Sequence, residues 1–420
     1  MSLFAPLLAL AVAAQPTPSA SPAPAVPGVA PDVASMDAAP DAAMGRRLDA
    51  VIDRALRERR LVGTVVLVAR DGRVVYRRAA GQADREAGVP MREDAIFRLA
   101  SVTKPIVSVA AMRLVEQGKL RLDDPVTRWL PDFRPRLPDG DAPPITVHQL
   151  LTHTAGLSYG FEEADGAPYH RLRVSDGLDA SGITLEENLR RIAAAGLSYP
   201  PGHAWRYSLA IDVLGAVVAR ANGSTLPEAV AQLVTGPLQM RDSAFSVAPS
   251  ARVAVPYADG RARPRRMYDG IEVPLPPALG HRVRFAPSRA FDAGAFPSGG
   301  GGMVGTAGDV LRLLEMLRGG GAPLLRAETV ARMGTDQVGI AAQTQGPGWG
   351  FGYGAAVLVD PALAGTPQAP GTLQWGGAYG HSWFVDRARG LSVVALTNTA
   401  FEGMSGAFPG QIRDAVYGAP

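Results

Sequence analysis

The sequence predicts an α+β fold in which an antiparallel sheet, formed by both chain ends and flanked by helices, sits beside a mainly helical domain. Three observations carry this expectation. LVGTVVLVARDG and RVVYRRAAG are rich in β-branched residues and meet at Asp71-Gly72, a strong hairpin signal. GTLQWGGAYG, HSWFVDRARG and LSVVALTNT have the same character near the other end, with a second turn at Arg389-Gly390. The long middle shows helical periodicity and Gly/Pro-rich loops instead.

From the N-terminus, MSLFAPLLALAVAAQ reads as a secretory leader over 1–14: an apolar run ending in small residues, though without a charged n-region. It is too short to span a bilayer, which needs about 20 apolar residues. The expectation is export to the periplasm or beyond, with no stable membrane anchor. Residues 15–43 are rich in Pro, Ala and Ser and read as a disordered linker, since they cannot bury a core. In GRRLDAVIDRALRERR, Leu48, Val51, Ile52 and Leu56 form one helical stripe. The two strand-rich ends, 44–95 and 330–420, then make a sheet subdomain, and 96–329 a helical and loop subdomain with the cleft between the two. Within the middle, ITVHQLLTHTA reads as a short helix capped by Thr146, 246–300 as irregular loop, and DVLRLLEMLR as a helix capped by Thr306 and Asp309.

Composition excludes several classes of function. The chain has 420 residues, 47% hydrophobic and 19% charged, with Lys plus Arg 42 against Asp plus Glu 39. That weak net field gives no case for nucleic acid, and the basic run RARPRR reads as a solvated loop. No cysteine is present, which removes disulfides, thiol catalysis and a lipoprotein anchor. The 6 histidines show no metal-binding spacing, so neither metal nor cofactor is expected. Gly-x-Gly-x-x-Gly at 300–305 lacks a preceding strand and a ribose-binding acid, and reads as a tight turn.

GLSYG at 156–160 matches the Gly-x-Ser-x-Gly elbow, which works only where a strand turns sharply into a helix. Its flanks are a short helix and a polar Gly/Pro stretch, so Ser158 is not the expected nucleophile. FRLASVTKPIVSVAAMRLVEQGKL offers a better one. Ser101 and Lys104 are three apart, on one face of a helix that Pro105 requires to start near Ser101. A serine there lies at the positive end of the helix dipole. Tyr207, after a Pro-Gly turn and before an amphipathic helix, can place its phenol in a cleft, and the paired glycines of QWGGAYG allow a ligand close to the backbone. Together these form a nucleophile, base and oxyanion set.

The ordered landmarks ASVTK, LDDPVTRWLPDF, ITVHQLLTHTAGL, PPGHAWRYSL, GPLQMRDSAF, GGGGMVGTAGDV, GWGFGYG and WGGAYGHSWFVD resemble the serine β-lactamase and penicillin-binding-protein superfamily, over about 45–415. The closest branch is class C-like, with the family VIII carboxylesterases. The resemblance implies a β-lactamase/transpeptidase-like fold and makes Ser158 a bystander within a structural landmark. It implies that Ser101 is acylated, that Lys104 and Tyr207 share the proton work, and that the backbone N–H groups of Ser101 and Ala378 hold the oxyanion. Lys104 would then need its pKa lowered from about 10.4 to near 7 or 8, worth roughly 4 kcal/mol, by burial and a cationic environment.

Two departures bear on the substrate. The third position of the family's Tyr-x-Asn is Leu209, which cannot hydrogen-bond a substrate amide or Lys104. The Lys-Thr-Gly strand reads Trp375-Gly376-Gly377, an apolar wall in place of a cation for a carboxylate. Losing a charge-assisted contact costs about 1.5–3 kcal/mol, which disfavours anionic substrates. The expected activity is hydrolysis of small-molecule, short-chain carboxylic esters, the expected ligands of Leu209, Trp375, Gly376 and Gly377. The alternatives are a class C-like β-lactamase or D-alanyl-D-alanine peptidase, an acyltransferase, and a sensor that acylates once.

Overall fold

The computed structural model describes residues 41–419; the leader expected over 1–14 and most of the linker expected over 15–43 lie outside the described residues. At 41–43 the chain is already entering a helix. Asp41 accepts a hydrogen bond from Met44 N at 3.0 Å and caps α1 (Ala42–Arg57), whose Met44 is fully buried. Alanine-rich composition conceals such a start, because the cap is one side chain.

β1 (Gly63–Arg70) and β2 (Arg73–Asp84) are joined through Asp71 and Gly72, whose φ values of 49° and 84° are the left-handed pair of a two-residue hairpin turn. β3 (Val89–Pro90) follows, then β4 (Phe97–Arg98), a single 3-10 turn and α2 (Thr103–Glu116). Pro105 stands in the first turn of α2, where its missing N–H leaves no gap in the ladder. α3 (Val147–Leu151) starts at a capping box in which Thr146 and Gln149 each bond the other's backbone N–H. α4 (Pro168–Arg171), α5 (Leu185–Ala195), α6 (Ala210–Asn222) and α7 (Leu226–Val230) complete the helical middle, with α6 packed on α2.

The stretch 246–300, expected as irregular, contains two hairpins. β5 (Tyr257–Ala258) pairs with β6 (Arg265–Arg266), and β7 (Ile271–Pro274) with β8 (Arg282–Phe285). The alternating burial of IEVP and RVRF is strand-like, but each run is only four residues long and is set among Pro and Gly. β9 (Val304–Gly305) pairs with β4 and leads into α8 (Ala307–Arg318), capped by Thr306 accepting from Asp309 N. After α9 (Ala327–Met333) come β10 (Trp349–Phe351), β11 (Ala356–Leu358), α10 (Pro361–Ala364), β12 (Leu373–Gly377), β13 (His381–Asp386), β14 (Leu391–Thr397), α11 (Ala400–Met404) and α12 (Ala407–Tyr417).

The fold is α+β. Its antiparallel sheet runs β10-β11-β12-β13-β14-β1-β2-β3, so the two ends of the chain meet in its middle, where β1 and β14 pair from Thr64↔Thr397 to Arg70↔Leu391. Alternation along β1 sends Val65, Leu67 and Ala69 into the main core with α2 and α8, and Val66 and Val68 into a second core under α1 and α12. Both faces are therefore covered, and β1 and β14 read as almost unbroken apolar runs. Among the described residues no helix is long and apolar enough to cross a membrane.

Candidate active site

Ser101 lies in the 3-10 turn Ala100–Val102 that joins β4 to α2. The preceding residue, Ala100, has φ of 45°, a left-handed conformation that costs a non-glycine residue about 1 kcal/mol or more and persists only where packing enforces it. The enforcement is visible on both sides: Leu99 N donates to Met303 O at 2.9 Å, and His381 Nε2 lies 2.7 Å from Arg98 O. The strained turn brings Ser101 to the floor of a cleft of about 810 Å³.

Two polar groups converge on Ser101 Oγ. Tyr207 Oη donates to it at 2.7 Å, and Lys104 Nζ lies at 3.1 Å. Lys104 also donates to Tyr159 Oη at 2.9 Å and Gly300 O at 2.8 Å, and is wholly buried. Those three contacts match the three N–H bonds of an ammonium; in the free amine, the lone pair can face Ser101 instead. Burial lowers the Lys104 pKa from 10.5 to about 7. The surroundings are not the cationic ones expected from the sequence: Asp212, Asp176 and Glu162 all act in the opposite direction, and desolvation outweighs them. Burial pushes the Tyr207 phenol up, against hydrogen bonds to Ser101 and Trp375 that draw it down, so it stays protonated at neutral pH.

Residues 48–416 match the beta-lactamase family model. The chain belongs to the beta-lactamase family. It is 62% identical over 389 residues to esterase EstB of Burkholderia gladioli, covering 92% of this chain and 98% of that protein. Among solved structures it is similar to EstCE1, described as a hydrolase with promiscuous acyltransferase activity, with a TM-score of 0.88 and 53% identity over 89% of this chain and 98% of that one. An octameric penicillin-binding-protein homologue from Pyrococcus abyssi, 24% identical with a TM-score of 0.66 over 89% of this chain and 77% of that one, shares the fold.

This beta-lactamase-family cleft brings together most, though not all, of the residues singled out from sequence. Ser101, Tyr207, Trp375, Gly376 and Ala378 line it, and Lys104 lies buried behind Ser101. Leu209 does not line it. It is wholly buried in the main core at the start of α6, so its expected contact with substrate is corrected: the side chain following Tyr207 by two points into the protein. The paired glycines differ in their placement. Gly376 lines the cleft and Gly377 does not; a Cβ on Gly377 would sit 2.4 Å from Leu99 O, and one on Gly376 2.6 Å from His381 O, so the chain's own approach leaves no room for a side chain at either position. Ser158 is buried, its Oγ donating to Tyr159 O at 3.2 Å, its N donating to Tyr169 Oη at 3.0 Å and its O accepting from Leu209 N at 3.2 Å.

Sequence reasoning missed Tyr159, the neighbour of Ser158. It lines the cleft, bonds Lys104 and lies against Tyr207 with ring centroids 5.1 Å apart. The signal was present in GLSYG, one residue beyond the serine. Three acids were missed as well. Asp176 accepts from Gly160 N and Phe161 N at 2.7 and 3.2 Å, Glu162 pairs with Arg206 at 3.1 Å, and Asp212 accepts from Ser298 Oγ at 2.6 Å. Burial raises all three, Asp176 and Glu162 to about 7. They come from separate loops and helices, so no spacing in the sequence announces them.

Proposed function

We propose that the protein is a serine carboxylesterase of the class C-like, family VIII type, hydrolysing short-chain carboxylic esters through an acyl-enzyme on Ser101. The convergence of Lys104 Nζ and Tyr207 Oη on Ser101 Oγ carries this reading. A nucleophile with a buried amine of pKa about 7 beside it has a base poised at working pH. In acylation Oγ attacks the ester carbonyl and its proton passes to Lys104. The backbone N–H groups of Ser101 and Ala378 would hold the oxyanion. As the intermediate collapses, the C–O bond to the alcohol breaks, and Tyr207 protonates the departing oxygen and is reprotonated from Lys104. Water then repeats the sequence in reverse and releases the acid. The names of EstB and EstCE1 support the ester reading, and EstCE1 also supports an alcohol replacing water in the second step.

Trp375 supports an uncharged substrate. Its indole faces Tyr207 and Phe351 at centroid distances of 5.2 and 5.3 Å and offers no charge to a carboxylate. On p-nitrophenyl butyrate, kcat/KM is expected to exceed that on a chromogenic cephalosporin by at least about tenfold, the minimum value of a lost charge-assisted contact. Equal or reversed constants would move the assignment to the β-lactamase branch, and one acyl burst without turnover would make the protein a sensor. Ser101→Ala is expected to abolish turnover and Ser158→Ala to leave most of it; the reverse would falsify the site.

A further inference from the structure

The cleft does not stop at the catalytic serine. β11 pairs with β12 only at Ala356↔Gln374 and Val357↔Leu373, which leaves the edge of β12 from Trp375 onward without a β11 partner. Side chains alternate along β12: Leu373 and Trp375 enter the main core, whereas Gln374 and Gly376 face the side covered by α11 and α12. Residues from both faces line the one cleft. Past the open edge, it is lined by Gln374, Ser382, Phe384, Met404, Pro409 and Ile412. Register places Ser382 opposite Gly376 and Phe384 opposite Gln374, so these groups form one wall, and α11 with α12 forms the other.

Gly376 packs against Met404 of the opposite wall. A Cβ there would lie 3.0 Å from Met404 Cγ and 2.6 Å from His381 O, so a side chain at this position would collide with α11 and with β13. The wall residues are mainly apolar. The cation at this end, Arg413, is paired with Asp414 at 2.8 Å between its Nε and the carboxylate. The whole cleft, about 810 Å³, lies in the range of roughly 300–1,000 Å³ that takes drug-sized ligands, far more than a butyryl group fills.

Resting on the esterase reading above, we propose that this second arm receives an apolar chain or ring of the ester, on its acyl or its alcohol side, extending beyond four carbons. Burying each added methylene is worth about fourfold in kcat/KM when the group is bound in the transition state. The test uses the full chain and two substrate series, p-nitrophenyl alkanoates from butyrate to decanoate and alkyl acetates from butyl to decyl. The readout is the ratio of kcat/KM for the longest member of a series to its shortest, which does not depend on how much enzyme is correctly folded. Ser382→Trp and Pro409→Trp fill the arm from opposite walls. Both are expected to lower that ratio at least about fivefold, in the first series if the arm takes the acyl chain and in the second if it takes the alcohol. A smaller change in both series, with both variants, overturns the proposal. Failure of the wild-type protein to hydrolyse any member would instead sink the esterase reading beneath it, and the arm with it.

Discussion

Lys104 is charged or neutral according to a balance that its surroundings set, and the sign of that balance can be measured. As a base it must be deprotonated, so kcat/KM on a neutral ester should rise through a pH of about 7 and level off above it. The same shift affects stability. An unfolded chain holds the proton up to about 10.5, whereas the folded one gives it up near 7, so this group's penalty is full below pH 7 and fades as the pH rises toward 10.5. Lys104→Met should therefore be inactive, and its stability relative to the wild type should be several kcal/mol more favourable, about 3 or more, at pH 6 than at pH 10, as read from urea melts. Tyr159→Phe removes an oxygen that accepts from Lys104 and stabilises its charged form, while keeping the ring beside it. The acid limb of the pH profile should move about one unit lower, the equivalent of a hydrogen bond to a charged group. A limb that stays in place would separate Tyr159 from the proton chemistry.

At the scale of elements, the contact between β12 and the nucleophile turn is the one most sensitive to volume. Gly377→Ala forces Leu99 O or the strand to move by several tenths of an ångström, next to the strained Ala100. A displacement near 1 Å at a reacting group costs about a hundredfold, so kcat should fall by at least about tenfold, with circular dichroism showing an intact fold. Unchanged kcat would mean that the turn absorbs the strain elsewhere. Which elements could be read from the sequence follows from how local their causes are. The β1–β2 hairpin, the Thr146 and Thr306 caps and the start of α2 each rest on residues within a few positions of one another, and all were legible. The start of α1 and the β7–β8 hairpin were not, because a single capping side chain and two four-residue runs leave too little pattern. The same division holds at the site. Ser101 and Lys104 are a local pair, Tyr207 was found by its turn, and Tyr159 with its three neighbouring acids joins the site only when distant segments meet.

For the whole molecule, the second core matters as much as the cleft. Phe408 on α12 is fully buried there beside Leu48, Val66 and Val393, which belong to α1, β1 and β14. Phe408→Ala should cost about 3–5 kcal/mol and lower the urea midpoint, with kcat on p-nitrophenyl butyrate at low denaturant little changed, because the cavity opens on the far side of the sheet from Ser101, beyond the reach of a butyryl group. A loss of kcat without a loss of stability would contradict that separation. The pairing of β1 with β14 also has a consequence for how the protein is made. A chain emerging from the ribosome has its serine, lysine and tyrosine early, but it lacks the turn between β12 and β13 that carries Ala378 and the partner that zips the sheet closed. Nascent chains arrested before β12 should be inert toward any ester, and activity should switch on only once the last strand and helix have been released from the exit tunnel.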